Sequence, residues 1–253
     1  MNRDAINATL ETLLPEEASP LHEAAHYSLK GGKRLRPLLL LSVLESAGVD
    51  HELGLYPACA LEMIHTYSLI HDDLPCMDDD DMRRGKPTLH KVYPEAHALL
   101  VGDFLLTHAF EVLSKAPMID SDQRLELIRT LSESAGGRGM IGGQLLDLEG
   151  STDWQNVHKM KTGALIQCAL VSGGIIAKMD LDPLKAIGHG LGVSYQLVDD
   201  LIDGDGAVEQ FGRSWVEGEV AKMEDQLHTQ LSHYPGNPEP LQEMANRMIH
   251  RTV

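Results

Sequence analysis

The sequence predicts an all-α protein, one domain over residues 1–253 formed as a bundle of about ten helices. Three observations carry that reading. Aromatic residues make up only 4% of the chain while apolar residues make up 43%, a balance rich in Leu, Ala and Met that favours helix over sheet. Apolar positions recur at helical spacing, and strand-like alternation is essentially absent. The composition does not shift anywhere along the chain, so nothing marks a linker.

Taken in order, residues 5–14 and 20–29 read as two amphipathic helices separated near Pro15. Gly31-Gly32 ends the second, and a third starts at Pro37 and runs to 47. Residues 53–73 form a long, mostly apolar helix that must lie in the core. Further helices are expected over 93–114, 121–148, 154–177, 183–203, 214–232 and 238–251.

A net charge of −17 argues against nucleic acid or an anionic membrane surface as a partner. The 3 cysteines are odd in number and far apart, which suits a reducing cytosol better than a disulfide framework. The 13 histidines show no ligand spacing. No uninterrupted apolar run reaches about 18 residues, and the N-terminus lacks a signal-peptide pattern. A cytoplasmic protein without stable membrane insertion is expected.

The negative charge is concentrated. Asp72, Asp73, Asp78, Asp79, Asp80 and Asp81 fall within ten residues at the end of the apolar helix, and Arg83-Arg84-Gly85-Lys86 follows. Carboxylates this close raise one another's pKa unless cations neutralise them. Hard oxygen ligands beside arginines suit Mg²⁺ and a phosphorylated substrate held together. A second cluster, Asp199, Asp200 and Asp203, ends another helix. It is either an acidic turn in water or the facing half of one metal site, and the first cluster favours the second reading. Three cations, Lys33, Arg34 and Arg36, follow Gly31-Gly32; they make either an anion-binding loop or an ordinary basic one. Arg83-Arg84 is either part of that binding or a solvated pair. Lys161 lies in an otherwise apolar helix, where a lysine needs a partner. Gln196 sits three residues before Asp199. His65 alone would read as a core histidine, and Tyr67 as a core aromatic.

These residues resemble the trans-isoprenyl diphosphate synthases, and among them the bacterial short-chain enzymes that make farnesyl diphosphate. The resemblance runs in family order through Gly31 to Pro37, His65 to Thr88, Gly102-Asp103, Gly143-Gln144 with Asp147, Lys161-Thr162 and Gln196 to Asp203. It implies that the helices surround a central cavity. It also implies Mg²⁺, about three ions with Mn²⁺ able to substitute, held by Asp72, Asp73, Asp78, Asp147, Asp199, Asp200 and Asp203. Lys33, Arg36, His65 and Arg84 would bind isopentenyl diphosphate. Arg83, Lys161, Thr162 and Gln196 would contact the allylic diphosphate and act in its ionisation. Tyr67, with small Ser68 beside it, would floor the cavity and limit the product to fifteen carbons. A homodimer is implied as well.

The alternatives are a geranylgeranyl diphosphate synthase, a non-catalytic subunit of a heteromeric prenyl synthase, and a terpene cyclase. Both complete clusters weigh against the subunit, and the Gly31–Pro37 segment weighs against the cyclase. A di-iron bundle would need Glu-x-x-His ligands, which are not found. One departure stands out. After Asp203 the family pattern continues into a lysine-bearing loop, whereas here no lysine occurs before Lys222 and the segment is short. A smaller shortening falls between Gly150 and Trp154. Either the clamp is abbreviated or loop residues are missing from the sequence, and the intact aspartates favour the latter.

Overall fold

Burial of one long apolar helix organises the bundle. The structure, a computed structural model, describes residues 3–14 and 19–251; the break expected near Pro15 lies outside them. Helix α1 (Arg3–Leu13) and α2 (Pro20–Leu29) precede α3 (Leu35–Ser46), a 3₁₀ turn (His51–Gly54) and α4 (Leu55–Asp72). A two-stranded hairpin, β1 (Met82–Arg83) with β2 (Lys86–Pro87), leads to short α5 (Leu89–Val92) and then α6 (Glu95–Ser114) and α7 (Ser121–Ala135). Next come α8 (Met140–Leu148), α9 (Trp154–His158), a π-helical turn (Lys159–Gly163) and α10 (Ala164–Ala177). The chain closes with α11 (Leu181–Asp203), α12 (Ala207–Phe211), α13 (Arg213–Ser232) and α14 (Glu239–Ile249).

Local chemistry places many of the ends. Ser19, Asp120 and Asp180 cap α2, α7 and α11 by accepting from backbone N–H groups of the first turn, and Pro20 opens α2 at N1. Lys178 ends α10 and Gly204 ends α11, both with left-handed backbone. The Arg84-Gly85 turn of the hairpin has positive φ at both residues, 53° and 73°, the twist a two-residue connection requires. Core positions on α3, α4 and α10 are apolar nearly all round. These helices occupy the centre, α4 packs along α6, and α10 lies between α3 and α11.

One expectation is corrected. The helix expected over 121–148 divides into α7 and α8, because Gly136, Gly137 and Gly139 crowd four residues and Gly139 takes φ −133°, ψ −132°. Such backbone cannot continue a helix, and the glycines were the available signal. By length and composition alone, Glu95–Ser114 and Trp154–Ala177 are long and apolar enough to cross a bilayer, although neither is an uninterrupted apolar run. Their apolarity has a use inside the bundle, where 44% and 67% of the relevant windows are buried.

A charged contact lies within this core. Arg34 holds left-handed backbone, φ 58°, just ahead of α3. Its buried guanidinium donates to Glu62 Oε1 at 2.7 Å, Asn7 Oδ1 at 2.9 Å and the Leu29 carbonyl at 2.5 Å, so it ties α1, the end of α2 and α4 together. Arg34 and Glu62 side chains are 4% and 2% exposed. Removing one member strands the other charge in the core, at a cost of about 3–5 kcal/mol. Glu62→Ala should therefore lower the urea midpoint by that equivalent with an unchanged m-value, measured by circular dichroism.

Candidate active site

The C-terminal end of α4, where its apolar face runs out, opens onto a cavity of about 460 Å³. Arg36, His65, Tyr67, Ser68, His71, Asp72, Gln144, Lys161 and Thr162 supply its polar lining, and Leu69, Met77, Leu106, Met140, Ile141, Leu145 and Leu148 supply its apolar lining. Polar groups thus gather beside Asp72 and hydrocarbon walls fill the rest. That division suits a ligand with a charged head and an apolar tail.

Close backbone approach assembles the wall opposite α4. A side chain on Gly143 would put its Cβ 2.2 Å from the Lys161 amide nitrogen, and one on Gly192 would fall 2.5 Å from the Gly163 Cα. Both glycines let α8 and α11 press against the π turn, a rare element frequent at functional sites. The consequence is a relay. Asp147 of α8 pairs with Lys161 Nζ at 2.5 Å. Thr162 Oγ1 donates to Gln196 Oε1 at 2.9 Å, and Gln196 Nε2 donates to Asp200 Oδ1 at 3.1 Å. Asp200 also accepts from the Ala207 amide at 2.9 Å and lies 3.7 Å from His158 Nε2. That bond draws the short connection after Gly204 back onto the site.

Apart from Asp200, which belongs to the relay, the aspartates fall into three groups. Asp72 lines the cavity, and burial pushes its carboxyl up to about 6, with Asp78 and Asp73 adding to the rise while Lys161 and Arg83 oppose it. Asp78 and Asp203 are exposed at the two helix ends. Asp73, Asp147 and Asp199 are held by Arg83, Lys161 and Arg251, each at 2.5 Å. Asp73 turns away from the main cavity toward a smaller pocket lined by Arg83 and Arg84. Burial raises Asp73 and Asp199 as well. Among the described residues no three of these carboxylates converge on a single point. As a donor set they are nevertheless all hard oxygen, crowded and partly buried, and they already recruit side-chain cations, which fits a divalent ion such as Mg²⁺.

The cationic side is equally crowded. Arg36 stands in the first turn of α3 with its buried Nε lacking a partner in the protein. Arg84 exposes surface, yet its Nη1 lies with Arg34 Nη1 and Glu62 Oε1 around the bare face of Gly32. Lys33 is exposed, near enough to Asp199 for its charge to lower that carboxyl. Burial drives His65 well below the ordinary histidine pKa, and Arg36, Arg84, Arg83 and Arg34 drive it further. It is neutral, a hydrogen-bonding group inside a positive field. Tyr67 is 4% exposed with its hydroxyl unpartnered, and its ring forms part of the cavity wall.

Every residue expected to bind substrate is therefore placed, with Arg83 committed to Asp73 and Asp80 at 2.5 and 3.3 Å. Sequence reasoning missed Glu62, Tyr195 and Arg251, and it named Gln144 in the resemblance without giving it a role. Gln144 lines the cavity with an unpaired Oε1. Arg251 stacks 3.6 Å from the Tyr195 ring centroid and donates to the Tyr195 carbonyl; nothing near the C-terminus of the sequence signalled it.

The comparisons with known proteins agree with this layout. A family model described as polyprenyl synthetase matches residues 18–219. The chain is 46% identical to the farnesyl diphosphate synthase of Micrococcus luteus over 227 residues, 85% of this chain and 78% of that protein. It is 43% identical to the farnesyl diphosphate synthase of Bacillus subtilis over 205 residues, 76% of this chain and 69% of that one. A geranylgeranyl diphosphate synthase of Cyanophora paradoxa is 38% identical over 246 residues, covering 92% and 79%. Among solved structures, an apo FPP/GFPP synthase from Zymomonas mobilis superposes with a TM-score of 0.91 at 38% identity, covering 96% of this chain and 94% of that one.

The neutrality of His65 has a measurable sign. Its folded-state pKa lies below its unfolded value of about 6.5, so below that pH the unfolded chain takes up a proton that the folded chain refuses. Stability of the ligand-free protein should then fall as pH drops from 6.5, by at most about 1.4 kcal/mol per pH unit from this group. Urea titrations at pH 7.5, 6.5 and 5.5 should show a flatter dependence for His65→Asn than for the wild type.

Proposed function

Because the chain belongs to the polyprenyl synthetase family, we propose, as the function its geometry supports best, a short-chain trans-prenyltransferase. It joins isopentenyl diphosphate head-to-tail to dimethylallyl or geranyl diphosphate and yields farnesyl diphosphate. The single observation that carries this reading is the cavity itself. Its apolar length is shaped for an isoprenoid tail, and its mouth combines Asp72 with Arg36, His65, Lys161 and Thr162.

In this reading Asp72, Asp73, Asp78, Asp147, Asp199, Asp200 and Asp203 would hold Mg²⁺, and when bound the ions neutralise the charge of a departing pyrophosphate. Lys161, positioned by Asp147, and Arg83 face the allylic diphosphate and favour the electron pair leaving with the pyrophosphate oxygen as the C–O bond breaks. The Thr162–Gln196–Asp200 relay fixes the amide and hydroxyl beside the resulting allylic cation, which the apolar walls shield from water. Arg36, Arg84, Lys33 and neutral His65 hold the diphosphate of isopentenyl diphosphate, so that its double bond attacks the cation's terminal carbon. The proton lost in forming the new double bond passes to a pyrophosphate oxygen, since the hydrocarbon walls carry no base. A cytoplasmic homodimer belongs to the same proposal; α6 presents Leu99 and Leu100 to solvent, an apolar pair that a second copy would cover.

The deciding test incubates labelled isopentenyl diphosphate with geranyl diphosphate and Mg²⁺ and sizes the dephosphorylated product. Fifteen-carbon prenol that disappears on chelation is expected; no incorporation would favour a non-catalytic subunit instead. Tyr67→Ala should enlarge the cavity and move the main product to twenty carbons, seen in the same chromatogram, and an unchanged profile would remove Tyr67 from the chain-length role.

A further inference from the structure

His71 does not fill a gap between α4 and α6; it occupies a place made for it. A side chain on Gly102 of α6 would put its Cβ 2.0 Å from His71 Nε2, 2.4 Å from Cδ2 and 2.9 Å from Cε1. The imidazole therefore lies flat against bare backbone, where nothing larger than hydrogen fits. From there Nε2–H donates to the Leu99 carbonyl at 3.1 Å, and Asp103 Oδ1 is 4.0 Å away. The carbonyl only accepts, so this bond fixes both tautomer and ring orientation.

One helical turn before it on α4, Tyr67 meets the ring edge-on, with centroids 5.7 Å apart, and both residues line the cavity. Side chains on a helix lean toward its N-terminus, so His71 leans over Tyr67. The tyrosine hydroxyl is buried without a partner, and no hydrogen bond of its own holds that ring across the cavity. Packing must do it, and His71 is a polar-anchored member of that packing.

Resting on the prenyltransferase reading, we propose that His71, seated on Gly102, is a specificity-determining residue. It braces the Tyr67 ring in its blocking position, so product length is set by a three-part stack of Gly102, His71 and Tyr67 rather than by Tyr67 alone. Removing the imidazole frees Tyr67 to swing and deepens the cavity. Adding a methyl to Gly102 drives the imidazole off α6 toward the cavity it lines, and shortens the product. With the ring gone, the added methyl has room.

The test compares His71→Ala, Gly102→Ala and the double variant, each with Tyr67 intact. Products are sized after reaction of geranyl diphosphate with isopentenyl diphosphate. Calorimetry in the same buffer measures binding of geranyl, farnesyl and geranylgeranyl diphosphates to each protein. His71→Ala should raise the ratio of C20 to C15 product about tenfold or more, the scale on which pockets discriminate added methylenes, and should tighten geranylgeranyl over farnesyl diphosphate in parallel. Gly102→Ala should shift the ratio toward C10. The double variant should return to the His71→Ala profile even if Gly102→Ala folds poorly. His71→Ala that turns over more slowly at an unchanged C15 profile overturns the proposal. If the wild type forms no product, the prenyltransferase reading fails, and the binding series still reports whether the stack sets cavity depth.

Discussion

Burying α4 on nearly every side is the constraint from which the rest follows. Such a helix can carry charge only where its apolar face runs out. Its C-terminal end at Asp72 is therefore both the edge of the core and the start of the polar mouth. The core below supplies a hydrocarbon lining with no further design, and the end above supplies carboxylates that burial holds in an uncomfortable state. As a pair, Arg34 and Glu62 carry charge deep inside, midway along α4. Their reach to α1 and to the loop ahead of α3 fixes where Arg36 and Lys33 stand relative to that mouth. A core decision and a substrate-binding decision are one decision here.

The opposite wall shows the complementary principle, that closeness must be made by leaving atoms out. Gly143 and Gly192 bring α8 and α11 nearer to the π turn than side chains permit. What they bring together is Asp147, Lys161, Thr162, Gln196 and Asp200 in one hydrogen-bonded sequence. A π turn interrupts the regular α pattern, so Lys161 and Thr162 present themselves at angles an ordinary helix would not give.

Much of this was legible in the sequence, for reasons that differ by residue. The helices announced themselves by periodicity and caps, and the two Asp clusters by an improbable density of like charge at helix ends. Lys161 stood out as a cation in apolar surroundings, and its partner Asp147 is where such a cost requires one. What stayed hidden depends on long-range contact. Glu62 read as one polar residue in a core helix until Arg34 arrived from another element. Arg251 looked like a terminal cation, yet it folds back onto Asp199 and Tyr195. Asp73 and Asp72 are neighbours in sequence and point to different pockets, a divergence that helix geometry sets and composition cannot. The division of residues 121–148 was missed because periodicity outweighed three closely spaced glycines.

The pairs Arg83–Asp73, Lys161–Asp147 and Arg251–Asp199 change how any charged ligand is received. On the proposed reading, a metal ion held by these aspartates would displace a side-chain cation and leave it free for a diphosphate. Recognition would then be an exchange of partners in which the total charge of the mouth changes little. Two consequences follow for such an exchange: it is less sensitive to ionic strength than simple neutralisation, and it is reluctant to proceed with either ligand alone. On that reading metal and diphosphate would each free what the other requires, and the three pairs would act as an interlock favouring their joint arrival.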